Sequence, residues 1–171
     1  MNAPTDLVVR MGELAVSADP RACLVTIGLG SCIGVVLVDR IRRVAGLAHV
    51  MLPQARAAQA DGLPAAARGK YADLAVPALV DAMIAAGARR LGLQVALVGG
   101  ARMFGAGSGS LDVGARNEAA VRDALTAARL RVRAAATGGA KGRTVRAEVG
   151  SGQVLVRMAQ RADEVIMQGA A

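Results

Sequence analysis

The chain has 171 residues, 54% of them apolar, with a mean hydropathy of +0.41, a length that suits one domain spanning 1–171 and a composition that excludes general disorder. Two cysteines, one histidine, one phenylalanine and one tyrosine exclude a disulfide scaffold, a zinc finger and any recognition surface built on stacked rings. The net charge is +8, nearly all of it arginine, but no run reaches the length of a basic arm, so the charge reads as solvated faces, with no nucleic acid bound and a preference for acidic protein partners.

The densest basic places are Arg40-Ile41-Arg42-Arg43, Arg89-Arg90 and Arg129/Arg131/Arg133. The N-terminus lacks the basic and apolar regions of a secretory signal, and no apolar run approaches the ~18 residues of a membrane span. The chain therefore reads as cytoplasmic, without membrane insertion and with reduced cysteines.

In chain order, residues 5–16 and 22–28 read as strands around the turn cluster Ser17-Ala18-Asp19-Pro20. Gly28-Leu29-Gly30-Ser31-Cys32 is a tight glycine segment. Residues 33–38 form an almost wholly apolar, β-rich run that suggests a strand covered on both faces, and residues 44–52 form another apolar run; the short charged loop between them predicts a hairpin. Residues 54–69 read as a mobile surface loop. A helix is expected over 70–87, with Tyr71, Leu74, Leu79, Met83 and Ile84 near helical spacing, and Gly87 to end it. Residues 93–98 read as a strand. Residues 115–129 read as a second helix burying Ala119, Val121, Leu125 and Ala128. A strand over 130–136 and a hairpin of 144–149 with 153–158 complete the chain. The fold class expected is α+β, with a mixed sheet or packed sheets and helices on the outside.

The chemistry centres on Cys32 and the only histidine, His49. A turn centred between Arg40 and Ile41 would set them directly opposite on one face, with Cβ atoms ~4.5–5.5 Å apart. An odd-length loop would put them on opposite faces. On one face, thiol and imidazole suit an ion pair in which the thiol is a nucleophile of lowered pKa. Gly28 and Gly30 allow a sharp bend before Cys32, so that backbone amides at Gly30 and Ser31 can face an oxyanion. A phosphate loop is not supported, since neither a lysine nor a clear helix start follows. A third group to orient the imidazole could be Thr26, Ser31 or Asp39. Thr26 shares the parity of Cys32, Ser31 points to the other face, and Asp39 sits in a turn expected to face water.

These residues resemble a known family. Val25-Thr26-Ile27-Gly28-Leu29-Gly30-Ser31-Cys32, followed by Gly46-Leu47-Ala48-His49-Val50-Met51-Leu52-Pro53, is similar to CheD, the chemoreceptor glutamine deamidase family of chemotaxis. Lys70-Tyr71-Ala72-Asp73, Gly99-Gly100-Ala101 with Met103-Phe104, Gly114-Ala115-Arg116-Asn117 and Thr137-Gly138-Gly139 continue the match, which runs from about residue 7 to 158. The resemblance implies the packed-sheet cysteine-hydrolase fold of deamidase toxins, with Cys32 as nucleophile, His49 as base and Thr26 as third member. It implies thioester chemistry on receptor glutamines, no cofactor and no metal, with methyl-ester hydrolysis as a side activity. It also implies chemoreceptor cytoplasmic domains as partners and a CheC-type phosphatase as another, so that an adaptor role is the alternative. Ala136 and Asp112-Val113 depart from the family pattern, at places concerned with substrate or partner contacts. Because a receptor helix needs a shallow site, the loops 54–69 and Gly105–Ser110, flanked by Arg56, Arg68 and Arg102, are expected to form the substrate rim.

Overall fold

Two kinds of burial pattern separate the strands into layers. The structure, a computed structural model, describes residues 5–56, 62–103 and 112–169. In chain order these form β1 (Thr5–Val8), β2 (Leu14–Ser17), β3 (Ala22–Leu29), β4 (Ile33–Asp39), β5 (Val44–Val50), a 3-10 turn (Ala65–Lys70), α1 (Ala72–Ala85), a short turn (Arg90–Gly92), β6 (Gln94–Gly99), α2 (Val113–Ala127), β7 (Val132–Thr137), β8 (Arg143–Glu148), β9 (Val154–Met158) and β10 (Glu164–Met167). They build two five-stranded mixed sheets, in the orders β2-β5-β4-β6-β7 and β1-β3-β8-β9-β10, so the α+β class expected from the sequence is the one found.

The first sheet is the middle layer. Every residue of β4 and β5 is buried, because one face meets the helices and the other meets the second sheet. Val35, Leu37, Val44, Ala48 and Leu97 pack against Leu79 and Met83 of α1 and Val121 and Leu125 of α2. The alternate residues Val36, Val38, Leu47, Ala96 and Val98 pack against Leu24, Val145 and Val154 of the second sheet. The period of two along each strand makes this division, and each such aliphatic side chain stabilises the fold by ~1.5–3 kcal/mol when fully buried. The second sheet has one face in this core, so β8 alternates buried and half-buried residues.

Several boundaries differ from the sequence reading. Residues 5–16 are two strands in different sheets: β1 pairs with β3 and β2 with β5. A turn at Met11–Gly12 separates them, with Gly12 at φ 78, a backbone region that suits glycine. The end of the expected 54–69 loop is a 3-10 turn packed on the end of β5, where Met51 and Leu52 donate to the Lys70 carbonyl; residues 57–61 lie outside the described residues, as does the expected loop Gly105–Ser110. Helix α1 buries Ala72, Ala75, Val76, Leu79, Val80 and Met83 and leaves Ile84 exposed. Helix α2 buries Gly114 and Asn117 in place of the expected Ala119, which is exposed. The strand β10 was not expected at all; it adds to the edge beyond β9. No helix among the described residues is long and apolar enough to cross a membrane.

Candidate active site

The β4–β5 turn is centred between Ile41 and Arg42, one residue later than the sequence reading placed it. Gly34 therefore pairs with His49, and Asp39 with Val44. Cys32 lies just before β4, in a bend. It is diagonal to His49 rather than directly opposite, a relation that separates Cβ atoms by ~7–8 Å in a regular ladder. The shift moves the pairing by two positions, so parity is kept. Cys32 packs with Val36 and Leu47 on the face between the two sheets, and His49 shares the parity of Leu47.

His49 is 3% exposed and Thr26 1%. Thr26 belongs to β3 of the other sheet, and its Oγ1 is 2.7 Å from His49 Nδ1 across the gap between the layers. The same hydroxyl donates to the Val9 carbonyl at 2.7 Å. A hydroxyl has one proton. With that proton on Val9 O, Thr26 Oγ1 accepts from His49, and Nδ1 carries the imidazole hydrogen. Nε2 is then the bare nitrogen. It is buried with no hydrogen-bond partner among the described residues, which is where a base would have to be left free.

Burial sets the protonation of both groups. Desolvation lowers the pKa of His49, with the Val9 carbonyl opposing it more weakly. Desolvation raises the Cys32 thiol. Both shifts favour the uncharged forms of the thiol and the imidazole. Burial of Cys32 thus works against the lowered thiol pKa expected from the sequence. Cys32 is half-buried, whereas Cys23 is fully buried in the outer sheet, with its thiol also raised by desolvation.

The loop of Cys32 is held by its carbonyls. Gly30 O accepts from Ala101 N at 2.7 Å and Cys32 O from Gly100 N at 2.9 Å. A Cβ on Gly99 would stand 2.2 Å from Cys32 O, so only glycine lets β6 come this close. With the three carbonyls of Gly30, Ser31 and Cys32 occupied, their N–H groups have no backbone partner among the described residues. Met103 lies over Gly30, where a Cβ would meet its side chain at 2.9 Å.

Asn117 is the residue that sequence reasoning quoted in a motif without assigning it a role. It is fully buried, and its Nδ2 donates to Ser31 O at 3.0 Å and Met51 O at 2.9 Å. One amide thus joins the loop of Cys32 to the strand of His49. The signal in the sequence was an amide in an otherwise apolar helical stripe, between Gly114 and Val121. Arg143 is a second such residue, 9% exposed, with Nη1 3.3 Å from Gly99 O.

Other candidates are placed elsewhere. Asp39 lies at the far end of the hairpin, and it is 1% exposed rather than in water; its carboxylate accepts from the amides of Ile41, Arg42 and Arg89. Arg102 is ion-paired with Asp112 at 3.0 Å, while Asp112 also caps α2 by accepting from Ala115 N. Its charge is engaged at the surface rather than held out toward a substrate. Arg68 is exposed on the 3-10 turn that packs on the end of β5.

Comparison with known proteins places this geometry in context. Residues 51–158 match the family described as CheD chemotactic sensory transduction. A protein of Methanococcus vannielii named probable chemoreceptor glutamine deamidase CheD is 41% identical over 151 residues, covering 88% of this chain and 94% of the relative. Proteins of the same name from Moorella thermoacetica and Symbiobacterium thermophilum are 41% and 43% identical, covering 95% and 91% of this chain and 96% and 93% of their own lengths.

Proposed function

The chain belongs to the CheD family, and on that premise we propose that it is a chemoreceptor glutamine deamidase acting through Cys32, His49 and Thr26. The observation that carries the mechanism is the Thr26 hydroxyl held between the Val9 carbonyl and His49 Nδ1, because it leaves Nε2 as the only basic nitrogen. Nε2 takes the Sγ proton of Cys32 as the sulfur attacks the side-chain carbonyl carbon of a glutamine. The new S–C bond converts the carbonyl oxygen to an oxyanion, for which the unpartnered amides of the Gly30–Cys32 bend are the donors. His49 returns the proton to the amide nitrogen, the C–N bond breaks, and ammonia leaves a thioester. Water then attacks with its proton going to Nε2. The C–S bond breaks, the thiol is restored, and the side chain is released as glutamate.

Burial disfavours charge on either group at rest, and in this sequence charge appears on the imidazole and oxyanion together, during the reaction. Burial makes both charges costly in isolation, so the Thr26 contact, which favours the imidazolium through its accepting oxygen, serves the step where His49 is charged. Arg56 and Arg68 are proposed as rim residues that steer an acidic receptor surface; Arg102 is ion-paired with Asp112. The test is mass spectrometry of a receptor cytoplasmic fragment incubated with the protein. Each converted glutamine gains ~1 Da as amide becomes acid. No gain, or an equal gain with Cys32→Ala, would overturn the proposal.

A further inference from the structure

The three basic segments that are far apart in the sequence come together at one pole of the middle sheet, at the end of the β4–β5 hairpin remote from His49. Asp39 Oδ1 accepts from Ile41 N and Arg42 N, each at 3.1 Å, and Oδ2 from Arg89 N at 2.7 Å. Arg90 Nη2 donates to Ala128 O at 2.7 Å, which ties in the end of α2 and the start of β7. Between these segments lies a cleft of about 500 Å³ lined by Arg40, Arg90, Arg129, Arg131 and Arg133. Two aliphatic side chains at the same place, Ile41 and Leu91, are 84% and 98% exposed.

Three features of this pole are not explained by stability. The ion pairs among the described residues use Arg21, Arg102, Arg122, Arg146 and Arg157 and none of the arginines of the pole. Like charges this close repel one another. Of the three described non-glycine residues with left-handed backbone, two are Arg43 and Arg129, where turn chemistry favours glycine or asparagine. Finally, Arg40 Nε is a buried donor with no partner among the described residues. A sequence that keeps arginine against local preference and leaves it unneutralised fits a surface that another molecule completes.

We propose that this pole is a docking site for an acidic, amphipathic segment of a protein partner, separate from the active site. Guanidinium groups match carboxylates in a two-bond fork, and Ile41 and Leu91 need an apolar face between those carboxylates. The cleft is concave, which suits an inserted peptide chain better than a flat bilayer. None of the three segments carries a ring on which a base could stack. The two ends of the hairpin are separated by five residues of strand, ~16 Å at ~3.3 Å per residue, so a partner held here leaves Cys32 open. The site does not depend on the reaction proposed above.

The experiment is fluorescence anisotropy with a labelled peptide that carries glutamates on one helical face and leucines on the other. The controls are its lysine-for-glutamate counterpart, a labelled DNA duplex, and vesicles of phosphatidylglycerol with phosphatidylcholine. The glutamate peptide should bind, the lysine peptide should not, and added salt should weaken binding. Arg131→Glu with Arg133→Glu should weaken it about tenfold or more, and Ile41→Ser with Leu91→Ser by several-fold. Melting temperatures confirm that the variants fold, and the turn variant Arg42→Glu replaces the double variant if that one does not. The proposal is overturned if the glutamate peptide fails to bind, if DNA or vesicles bind more tightly than it does, or if folded variants bind it as the wild type does.

Discussion

The two ends of the β4–β5 hairpin use polar groups in opposite ways. At the Asp39 end a buried carboxylate is fully used by three backbone amides, and the surrounding charge stands in solvent. At the His49 end one ring nitrogen is satisfied by Thr26 while the other is buried with no partner among the described residues. A satisfied buried group holds the chain in place, and an unsatisfied one stores reactivity. The same hairpin thus carries a structural anchor at one end and the proposed catalytic site at the other. Solvent separates them, because the exposed guanidinium groups at the first end are hydrated, whereas a charge at the buried second end must be met by protein.

The sharpest way to break this contrast is at sulfur. Cys32→Ala should abolish deamidation of receptor fragments and leave the melting temperature nearly unchanged, because it removes the nucleophile and little volume. Cys23→Ala should keep the activity, since that thiol is buried in the outer sheet. Activity measured on both variants checks the pair, and the reverse result would reassign the nucleophile.

Asn117→Ala should come next. It removes one amide that spans Ser31 O and Met51 O and leaves two carbonyls unpaired, at ~1–3 kcal/mol each when buried. We expect kcat to fall roughly 10- to 100-fold through misplacement of Cys32 relative to His49, with KM changed far less. Asn117→Asp sharpens the test. A carboxylate repels both carbonyls and a protonated acid can donate to one, so the activity of this variant should recover partly as pH falls, and that of Asn117→Ala should not. Equal losses in kcat and in stability without this pH response would make Asn117 a packing residue only.

At the other end, Asp39→Ala should lower stability by about 2–4 kcal/mol, as three amides lose a buried acceptor. Hydrolysis of a small ester, per folded molecule, should stay as in the wild type. A large loss of turnover would mean that the two ends are coupled through the strands.

The smallest effect is in pH. His49 is the only histidine, and its folded pKa is lowered by burial. Above the unfolded value of ~6.5 both states are neutral and the full stability is present. As pH falls below that value the unfolded chain takes up a proton first, so stability is lost until the folded pKa is passed. Thermal melts between pH ~5 and ~7 should show this slope in the wild type and lose it in His49→Gln, because carboxylates titrate lower. Over the alkaline range, iodoacetamide labelling of Cys32 should rise above the ~8.5 of a free cysteine, following the upward shift from burial. A midpoint below that value would restore the ion pair.

Alternation along single strands was legible from the residues alone. The period of two placed Cys32 and His49 on one face, and the unbroken apolar run at 33–38 marked a strand covered on both sides. Spacing pointed to Cys32 and His49 as a pair and left Thr26, Ser31 and Asp39 as the third group, among which the family resemblance chose Thr26; helical spacing located α1 and α2 to within a few residues. What local pattern could not carry was anything set by a distant partner. Asp39, at the end of the strand before the turn, is held by Arg89 N, fifty positions away, as well as by the local amides of Ile41 and Arg42. The 5–16 run divided because one chain edge had to serve two sheets. Ile84 and Ala119 lie outward because the helix faces are chosen by the sheet beneath them and by the need to bring Asn117 to two carbonyls. Thr26 reaches His49 only because the layers stack face to face, and the arginines of 40–43, 89–90 and 129–133 meet only at the end of the middle sheet. Side-chain direction is a property of a few neighbouring dihedrals, whereas these meetings depend on how whole layers pack, and that was decided by the tertiary structure.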